Sequence, residues 1–295
     1  GCVANMYAGH PVCCLTNPFL GHEAEPLEKA EEPKKVMVIG GGVAGLSAAF
    51  IAKERGHEVT LYEAGDVLGG NMRLAAYPPG KGDITNMIRS YIHRCQKDGV
   101  KIVMNCEVTP ELIKEEKPDS VIIATGSKTL ILPIEGIDNP AIIHGSDLLD
   151  GKRAAGKKVL VVGGGMVGCE TAAFLGEQEH DVTVIEFRDT VGADVIHEHR
   201  VYLMKDFEDY GIKEITGAKV CKFYEDGVEY ETADGVRHES RGYDSVILSM
   251  GFRNYNPLEE KIKDLVPETH VIGDAIRARR ALDATKEAYE VASRI

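Results

Sequence analysis

A glycine-rich motif occurs twice in this 295-residue chain, and the two copies share the same local setting. In the first copy the apolar run VMVIG leads into residues 40–45, a helix-forming stretch follows, and EVTLYE ends on Glu63. In the second copy VLVVG leads into residues 163–168, and DVTVIE ends on Glu186. Each acid follows the first glycine of its own motif by the same 23 positions. The chain is therefore predicted to contain two strand–turn–helix–strand units of the α/β class.

A second pair of matching segments extends the duplication beyond the glycine motifs. DSVIIATG ends on Gly126 and DSVILSMG ends on Gly251, and each contains a short apolar run typical of a buried parallel strand. The offset between the copies is 123 positions for the glycine motifs and 125 for these later segments. We therefore predict two units of nearly equal length.

The glycine spacing matches the dinucleotide-binding fingerprint, and each glycine has a physical reason. The first allows a tight turn, the second lets backbone N–H groups approach a diphosphate, and the third lets helix and strand pack closely. The helix start offers N–H donors and partial positive charge to the diphosphate, while the acid accepts hydrogen bonds from a ribose diol. The fingerprint glycines are Gly40, Gly42 and Gly45 in the first copy, and Gly163, Gly165 and Gly168 in the second.

The C-terminal tail has no counterpart directly after the first copy. THVIGDA ends a predicted strand at Gly273 and Asp274, and a closing helix follows. We expect this tail to return and complete the first unit, which makes the second unit an insertion. The predicted fold is α/β with two Rossmann-like dinucleotide-binding domains, the second inserted in the first. The predicted boundaries are 1–34 for an N-terminal segment with a linker, 35–152 and 256–295 for the first domain, and 153–255 for the second.

This arrangement resembles the FAD/NAD(P)-binding flavoprotein reductase fold, in which the first unit binds FAD and the inserted unit binds a nicotinamide nucleotide. The resemblance implies that FAD contacts Gly40, Gly42, Val43, Ala44, Gly45, Glu63, Ala64, Gly70, Asn71, Arg73, Ala124, Thr125, Gly126, Gly273 and Asp274. It implies in the same way that NAD contacts Gly163, Gly165, Met166, Val167, Gly168, Glu186 and Gly251. Asn71 departs from the family pattern, since a glutamine is usual at that position.

Glu186 favours NADH over NADPH in the second unit, because a carboxylate beside the ribose 2′ position repels a 2′-phosphate. Arg188, two residues further on, softens this preference. Hydride transfer from nicotinamide to flavin depends on stacking and alignment more than on an acid–base pair. No catalytic side chain is therefore assigned from the sequence.

The N-terminal stretch GCVANMYAGHPVCCLTNPFLGHE resembles the iron–sulfur segment of the NADH:flavin oxidoreductase family related to old yellow enzyme. That family includes enoate reductases, 2,4-dienoyl-CoA reductase and trimethylamine dehydrogenase. Its C-x-x-N-P turn is matched by residues 14–18, which begin with Cys14, and Cys2 stands at the third ligand position of a [4Fe–4S] cluster. The resemblance implies a longer protein with further cluster cysteines and an FMN-binding barrel, of which this chain is the C-terminal fragment and the barrel its partner.

The resemblance implies an electron-input module that takes hydride from NADH to FAD. In the full-length enzyme the electrons would continue through the [4Fe–4S] cluster to FMN, which reduces an enoate- or enoyl-type C=C bond. Alone, the fragment is expected to show at most diaphorase or NADH oxidase activity. The residues leave open an alternative, a non-catalytic module that holds an ADP-type nucleotide in a structural role. Disulfide reduction is disfavoured, because neither unit contains a Cys-x-x-Cys or Cys-x4-Cys pair.

Composition excludes several other classes of partner. A net charge of −13 argues against nucleic acid, whose binding needs clustered Lys and Arg. The sequence has no apolar run of the roughly 18 residues that a membrane-spanning helix requires, so no membrane partner is expected. Seven cysteines, an odd number scattered along the chain, fit a reducing compartment and predict a cytoplasmic protein.

Overall fold

The computed structural model describes residues 2–295, with side chains from Asn5 onward. In chain order its helices are α1 (Cys2–Tyr7), α2 (Val43–Glu54), α3 (Asp83–Lys97), α4 (Pro110–Glu116), α5 (Gly145–Leu149), α6 (Met166–Glu177), α7 (His197–Asp209), α8 (Glu259–Ile262) and α9 (Ala281–Ala292). Its strands are β1 (Lys35–Ile39), β2 (Glu58–Tyr62), β3 (Lys101–Val103), β4 (Ser120–Ile123), β5 (Ser127–Thr129), β6 (Ile143–His144), β7 (Lys158–Val162), β8 (Asp181–Ile185), β9 (Lys213–Ile215), β10 (Lys219–Tyr224), β11 (Gly227–Glu231), β12 (Arg237–Ser240), β13 (Ser245–Leu248), β14 (Phe252–Asn254) and β15 (Glu268–Val271). Short 3-10 helices cover Gly70–Ala76 and Gly273–Ala275. Within the described residues, no helix combines the length and apolar character needed to span a membrane.

The first of two compact units contains the residues through Ala76, together with Asp83–Lys128 and Arg253–Ile295. Its five-stranded sheet is parallel, with strand order β15-β4-β1-β2-β3. The central strands β1 and β4 are almost wholly buried, as expected where both faces of a parallel sheet are covered. The buried residues of α2 pack in one core cluster with residues of α3 and α9. The C-terminal tail thus completes the first unit, which confirms the predicted insertion.

The second unit contains Tyr77–Gly82 and Thr129–Phe252. Its parallel sheet has the strand order β6-β13-β7-β8-β9, and a separate antiparallel sheet is formed by β10, β11 and β12. Equivalent strands pair in the same register in the two units. Lys35 of β1 lies opposite Glu58 of β2, and Lys158 of β7 lies opposite Asp181 of β8. The duplication in the sequence is therefore a duplication of a folded unit.

The structure divides the chain at a different position from the one the sequence predicts. The main segment of the second unit begins at Thr129 rather than at residue 153 and ends at Phe252 rather than at residue 255, and residues Tyr77–Gly82 also belong to this unit. The reason is β6, a two-residue strand that pairs in parallel with β13 at the edge of the second sheet. It occupies the edge position that β15 occupies in the first sheet, so the segment leading into α5 belongs to the second unit.

The N-terminal segment, predicted as a cluster remnant followed by a linker, belongs to the first unit and packs against its helices. The ring of Phe19 meets that of Tyr289 edge to face, with 5.6 Å between ring centroids. The guanidinium of Arg94 lies 4.8 Å from the Phe19 ring centroid. The hydroxyl of Tyr91 donates a hydrogen bond of 2.6 Å to the carbonyl oxygen of Leu15. The segment is therefore anchored by aromatic and hydrogen-bonding contacts before it reaches β1.

His57, directly before β2, connects the stability of the first unit to pH. It is fully buried, and its Nδ1 accepts a hydrogen bond of 3.0 Å from the backbone N–H of Lys34. Burial lowers the pKa of His57 below its ordinary 6.5, and the charges of Arg55 and Lys34 lower it further, against an opposing effect of Glu268. The unfolded chain therefore takes up a proton at this histidine under conditions in which the folded chain does not.

We predict that His57→Asn reduces the loss of stability between about pH 7.5 and about pH 5.5. In the wild type, protonation of the unfolded state below its pKa lowers the free energy of unfolding, by at most about 1.4 kcal/mol per pH unit from this group. Asparagine retains a hydrogen-bond acceptor but does not titrate. Urea unfolding of both proteins at the two pH values measures the difference, and an equal loss of stability in the two would contradict the prediction.

Candidate nucleotide-binding sites

The first and third fingerprint glycines of the first unit are required by contacts within the protein. Gly40 has φ +107°, in the left-handed region, and a Cβ there would overlap the carbonyl oxygen of Ala124. A Cβ at Gly45 would overlap the carbonyl oxygen of Gly40. Only glycine at these two positions lets α2 begin directly behind the end of β1.

The second fingerprint glycine has no such requirement. Gly42 has φ −73°, which any residue adopts, and a Cβ there would have no atom of the described residues within 4 Å. Gly42 is the N-cap of α2, and Val43 and Ala44 follow it in a first turn that contains no acidic residue. The packing of the protein does not explain a glycine here, whereas a diphosphate lying against the helix start would.

Glu63, directly after β2, is held in one orientation by two backbone N–H groups. Its Oε2 accepts a hydrogen bond from Gly41 and its Oε1 accepts one from Gly65, both at 2.7 Å. An ionised carboxylate offers about four acceptor positions, so these two bonds leave room for a ribose diol. Ala64 follows in an exposed turn.

Two predicted residues of the first unit converge on a third that the sequence motifs did not indicate, Ser127. The amide of Asn71 donates to the carbonyl oxygen and to the Oγ of Ser127, at 3.3 Å in each case. The Oγ of Ser127 in turn donates to Oδ2 of Asp274 at 2.9 Å. Ser127 directly follows the ATG segment that ends on Gly126, and this adjacency is the one signal that identifies it in the sequence.

The remaining predicted residues of the first unit lie in adjoining segments. Gly70 has φ +53°, and a Cβ there would lie 3.1 Å from the Cα of Gly42, so the 3-10 helix starts against the glycine turn. The hydroxyl of Thr125 donates a hydrogen bond of 2.5 Å to the carbonyl oxygen of Tyr255. Arg73 lies in the 3-10 helix Gly70–Ala76. Ala124 directly follows β4, and Gly273 directly follows Ile272.

A cleft of about 340 Å³ opens at the glycine turn of the second unit. The predicted residues that line it are Gly163, Gly165, Met166, Val167, Glu186 and Gly251. Gly168 is outside the lining, and a Cβ there would overlap the carbonyl oxygen of Gly163, as at the equivalent position of the first unit. The structure thus brings together six of the seven residues predicted to bind NAD.

Glu186 is oriented in the same way as the acid of the first unit. Its Oε2 accepts a hydrogen bond of 2.5 Å from the N–H of Gly164, and its Oε1 accepts one of 2.9 Å from the N–H of Arg188. Arg188 also lines the cleft and is exposed. The cleft therefore presents both a fixed carboxylate and a guanidinium to a ligand.

Sequence motifs alone did not indicate Asp194, which also lines this cleft. Its Oδ1 accepts a hydrogen bond of 2.9 Å from the backbone N–H of Met166, the first residue of α6. The duplication itself could have indicated this residue, because Asp194 follows Asn71 by 123 positions, the offset between the two glycine motifs.

An ion pair with a buried carboxylate, beside a histidine, also lies outside the predicted set. Glu170, on α6, is 5% exposed and forms an ion pair with Lys81. The Nε2 of His199, on α7, lies 3.5 Å from the same carboxylate. The three groups are far apart in the sequence, so no motif spacing indicates that they meet.

The N-terminal cysteines do not by themselves provide a cluster site. Cys13 and Cys14 are half-buried free thiols, and the side chain of Cys2 lies outside the described part of the chain. Among the described side chains, no group of three or more His, Cys, Asp or Glu residues is placed to hold a metal ion. A [4Fe–4S] cluster is held by four ligands, so the described residues do not fit one.

A larger cavity, of about 460 Å³, lies in the first unit beside the edge strand β15. Its lining includes Asn254, Thr269 and His270 but none of the residues predicted to bind FAD. The cavity and the predicted FAD site are therefore separate regions of the first unit.

The chain is similar over its whole length to several longer reductases and oxidases. It is 34% identical over 299 residues to cinnamate reductase of Clostridium sporogenes, with 100% of this chain and 44% of the relative covered. It is 33% identical over 304 residues to NADH oxidase of Thermoanaerobacter brockii, with coverage of 100% and 46%. The chain thus spans about half the length of the curated relatives it matches.

Solved structures also match this chain over most or all of its length. The structure of a 2-naphthoyl-CoA reductase complex superimposes with a TM-score of 0.94 at 32% identity, covering 100% of this chain and 45% of that one. A thioredoxin reductase from T. acidophilum has a TM-score of 0.68 at 20% identity, covering 89% of this chain and 97% of that one, and supports the fold alone.

The sequence profile of one family matches most of the chain, residues 34–269, and so includes both glycine fingerprints and both acids. Members of this family bind FAD and NAD(P)H. With the relatives described above, the match confirms the resemblance to flavoprotein reductases that the sequence indicated. The chain belongs to the pyridine nucleotide-disulphide oxidoreductase family.

Proposed function

We propose that this chain is the electron-input module of a flavin oxidoreductase, with FAD in the first unit and NADH in the second. The observation that carries the proposal is that packing among the described residues does not require glycine at Gly42 or Gly165, the N-caps of α2 and α6. A Cβ at Gly165 would lie no closer than 3.5 Å to another atom, and the nearest ones belong to Asp194. Glycine at both positions is explained by a diphosphate that approaches the helix N–H groups.

Each unit has a defined set of residues for its nucleotide. The glycine turns would bind the diphosphates through backbone N–H groups, and Glu63 and Glu186 would accept hydrogen bonds from the ribose diols. Asn71 and Asp274, joined through Ser127, would position the ribityl–pyrophosphate region of FAD. When bound, the two cofactors supply hydride transfer from nicotinamide to flavin. The residues of the chain bind and orient them, and no side chain is assigned the role of acid or base.

The cysteines of the two units support an electron acceptor other than a disulfide. Cys95 and Cys169 are fully buried, and burial raises the pKa of each thiol to about 12. Because the thiolate is the reactive form, these residues are poor candidates for redox exchange. Cys106 and Cys221 stand alone in the sequence, without a neighbouring cysteine.

We infer that the onward acceptor belongs to a longer protein. The relatives have about twice the length of this chain, and their names include reductases of cinnamate and of naphthoyl-CoA. Cinnamate carries a C=C bond conjugated to a carboxylate, which favours an enoate- or enoyl-type substrate for that protein. The predicted [4Fe–4S] cluster, with Cys2 and Cys14 among its ligands, and the predicted FMN belong to the same proposal.

We predict that the purified chain shows flavin absorbance bands that bleach when NADH is added without oxygen. Bleaching requires FAD in the first unit and a working nicotinamide site in the second. Reoxidation by an artificial acceptor would then restore the bands and give diaphorase turnover. A colourless protein that contains ADP, and that added FAD does not turn yellow, would instead establish a non-catalytic nucleotide-binding module.

We predict that alanine impairs folding stability at one glycine of the first unit and FAD binding at another. Gly45→Ala forces a Cβ into the carbonyl oxygen of Gly40 and lowers the free energy of unfolding by about 1–3 kcal/mol or more. Gly42→Ala leaves the stability of the nucleotide-free protein within about 0.5 kcal/mol, because no atom of the described residues lies within 4 Å of the added Cβ. It weakens FAD binding by about tenfold or more, since the methyl group occupies the diphosphate position.

Urea unfolding of flavin-free protein and FAD titration measure the two effects separately. Wild-type affinity for FAD in Gly42→Ala would rule out a diphosphate at this turn. Unchanged stability in Gly45→Ala would contradict the packing requirement.

We predict that Glu186→Gln reduces the preference for NADH over NADPH by about tenfold, because it removes the charge that repels a 2′-phosphate while keeping a hydrogen-bonding side chain. The measurement is kcat/KM for each nucleotide with an artificial electron acceptor. Glu63→Gln is the matched control in the first unit, and we expect it to change FAD retention but not the nucleotide preference. A preference unaltered by Glu186→Gln would remove Glu186 from the 2′ position of the ribose.

A further inference from the structure

Asp194 places a negative charge on the helix start that the second nucleotide would use. Its Oδ1 lies 2.9 Å from the N–H of Met166, which opens α6 directly after the N-cap Gly165. The same residue lines the 340 Å³ cleft together with Glu186. An anion that binds at the start of α6 must therefore displace this carboxylate or lie beside it.

The first unit has a neutral residue at the equivalent position. Asn71 precedes Asp194 by 123 positions, the offset of the two fingerprints. The loops that contain Asn71 and Asp194 also make equivalent backbone hydrogen bonds to their glycine turns. The N–H of Gly69 donates to the carbonyl oxygen of Gly41 at 2.8 Å, and the N–H of Gly192 donates to the carbonyl oxygen of Gly164 at 2.7 Å.

The two residues make different contacts despite this shared path of the backbone. The amide of Asn71 donates hydrogen bonds to the carbonyl oxygen and the Oγ of Ser127. In the second unit the carboxylate of Asp194 takes one of the helix N–H groups. The duplicated scaffold therefore differs in charge at the point where each diphosphate would bind.

We propose that Asp194 limits the affinity of the second unit for its nucleotide and so makes that nucleotide exchangeable. This inference rests on the proposed function, in which NADH enters and NAD⁺ leaves once per turnover while FAD stays bound. A carboxylate beside a diphosphate opposes binding by like-charge repulsion, and it competes for the N–H of Met166. Asp194 is exposed, so its side chain has space to rotate away when the nucleotide binds. Asn71 imposes no such penalty on FAD.

The decisive variant is Asp194→Asn, which removes the charge and keeps an oxygen that can accept the hydrogen bond from Met166. Calorimetric titration with NAD⁺, ADP-ribose and adenosine compares it with the wild type. We expect the Kd of NAD⁺ and of ADP-ribose to fall about tenfold, the order expected for one like-charge interaction in a partly exposed site. The affinity for adenosine, which has no diphosphate, is expected to stay unchanged.

The reciprocal variant, Asn71→Asp, places the charge in the first unit. We expect it to speed the loss of FAD on dialysis and to leave the Kd of NAD⁺ unchanged. Asp194→Ser, a shorter neutral residue, repeats the measurement if Asp194→Asn does not fold, and thermal unfolding of each variant checks its integrity.

The possible results separate this inference from the proposed function. Equal NAD⁺ affinity in wild type and Asp194→Asn, weaker binding in the variant, or an equal gain for adenosine would overturn the role of Asp194 and leave the nucleotide site in place. No binding of NAD⁺ or ADP-ribose to either protein would overturn both proposals. Tighter binding of the two diphosphate ligands alone would support both.

Discussion

Both units depend on one close approach between backbone atoms, that of the third fingerprint glycine to the carbonyl group of the first. A Cβ at Gly45 or at Gly168 would overlap that oxygen, so any other residue would push the helix away from the end of the strand. With glycine, α2 and α6 begin at the carboxyl edge of their sheets and border a space, where in the second unit the carboxylate of Asp194 accepts the N–H of Met166. The acid then falls beside this space, because β2 and β8 pair in parallel with β1 and β7 and end at the same edge.

The duplication separates what the scaffold provides from what each copy adds. The strand register, the glycine overlaps and the two backbone hydrogen bonds to each acid are the same in both units. The differences lie in segments that the scaffold leaves unconstrained. In the first unit Asn71 and Asp274 meet at Ser127, whereas in the second Asp194 caps the helix start. The two units therefore differ in a few polar side chains on a common frame.

The sequence predicts the local part of this structure well. The two fingerprints, the acids and the returning tail follow from spacing and apolar runs, because turn, helix and strand are contiguous in the chain. The boundary at Thr129 was missed because β6 has two residues and no periodicity, and its place in the second sheet is decided by pairing with β13, about 100 positions later. Ser127 and Asp194 were missed because each acquires its role through a contact with a distant segment.

The ion pair of Lys81 and Glu170 joins segments whose contact the order of elements in the sequence does not predict. Residues 77–82 lie between elements of the first unit in the sequence, yet they pack within the second. A buried ion pair adds little net stability over apolar packing, but loss of one partner costs about 3–5 kcal/mol, because the other charge stays buried. The carboxylate of Glu170 on α6 therefore needs a cationic partner, and Lys81 provides it. The ion pair, with His199 beside it, is thus one contact that joins residues 77–82 to the second unit.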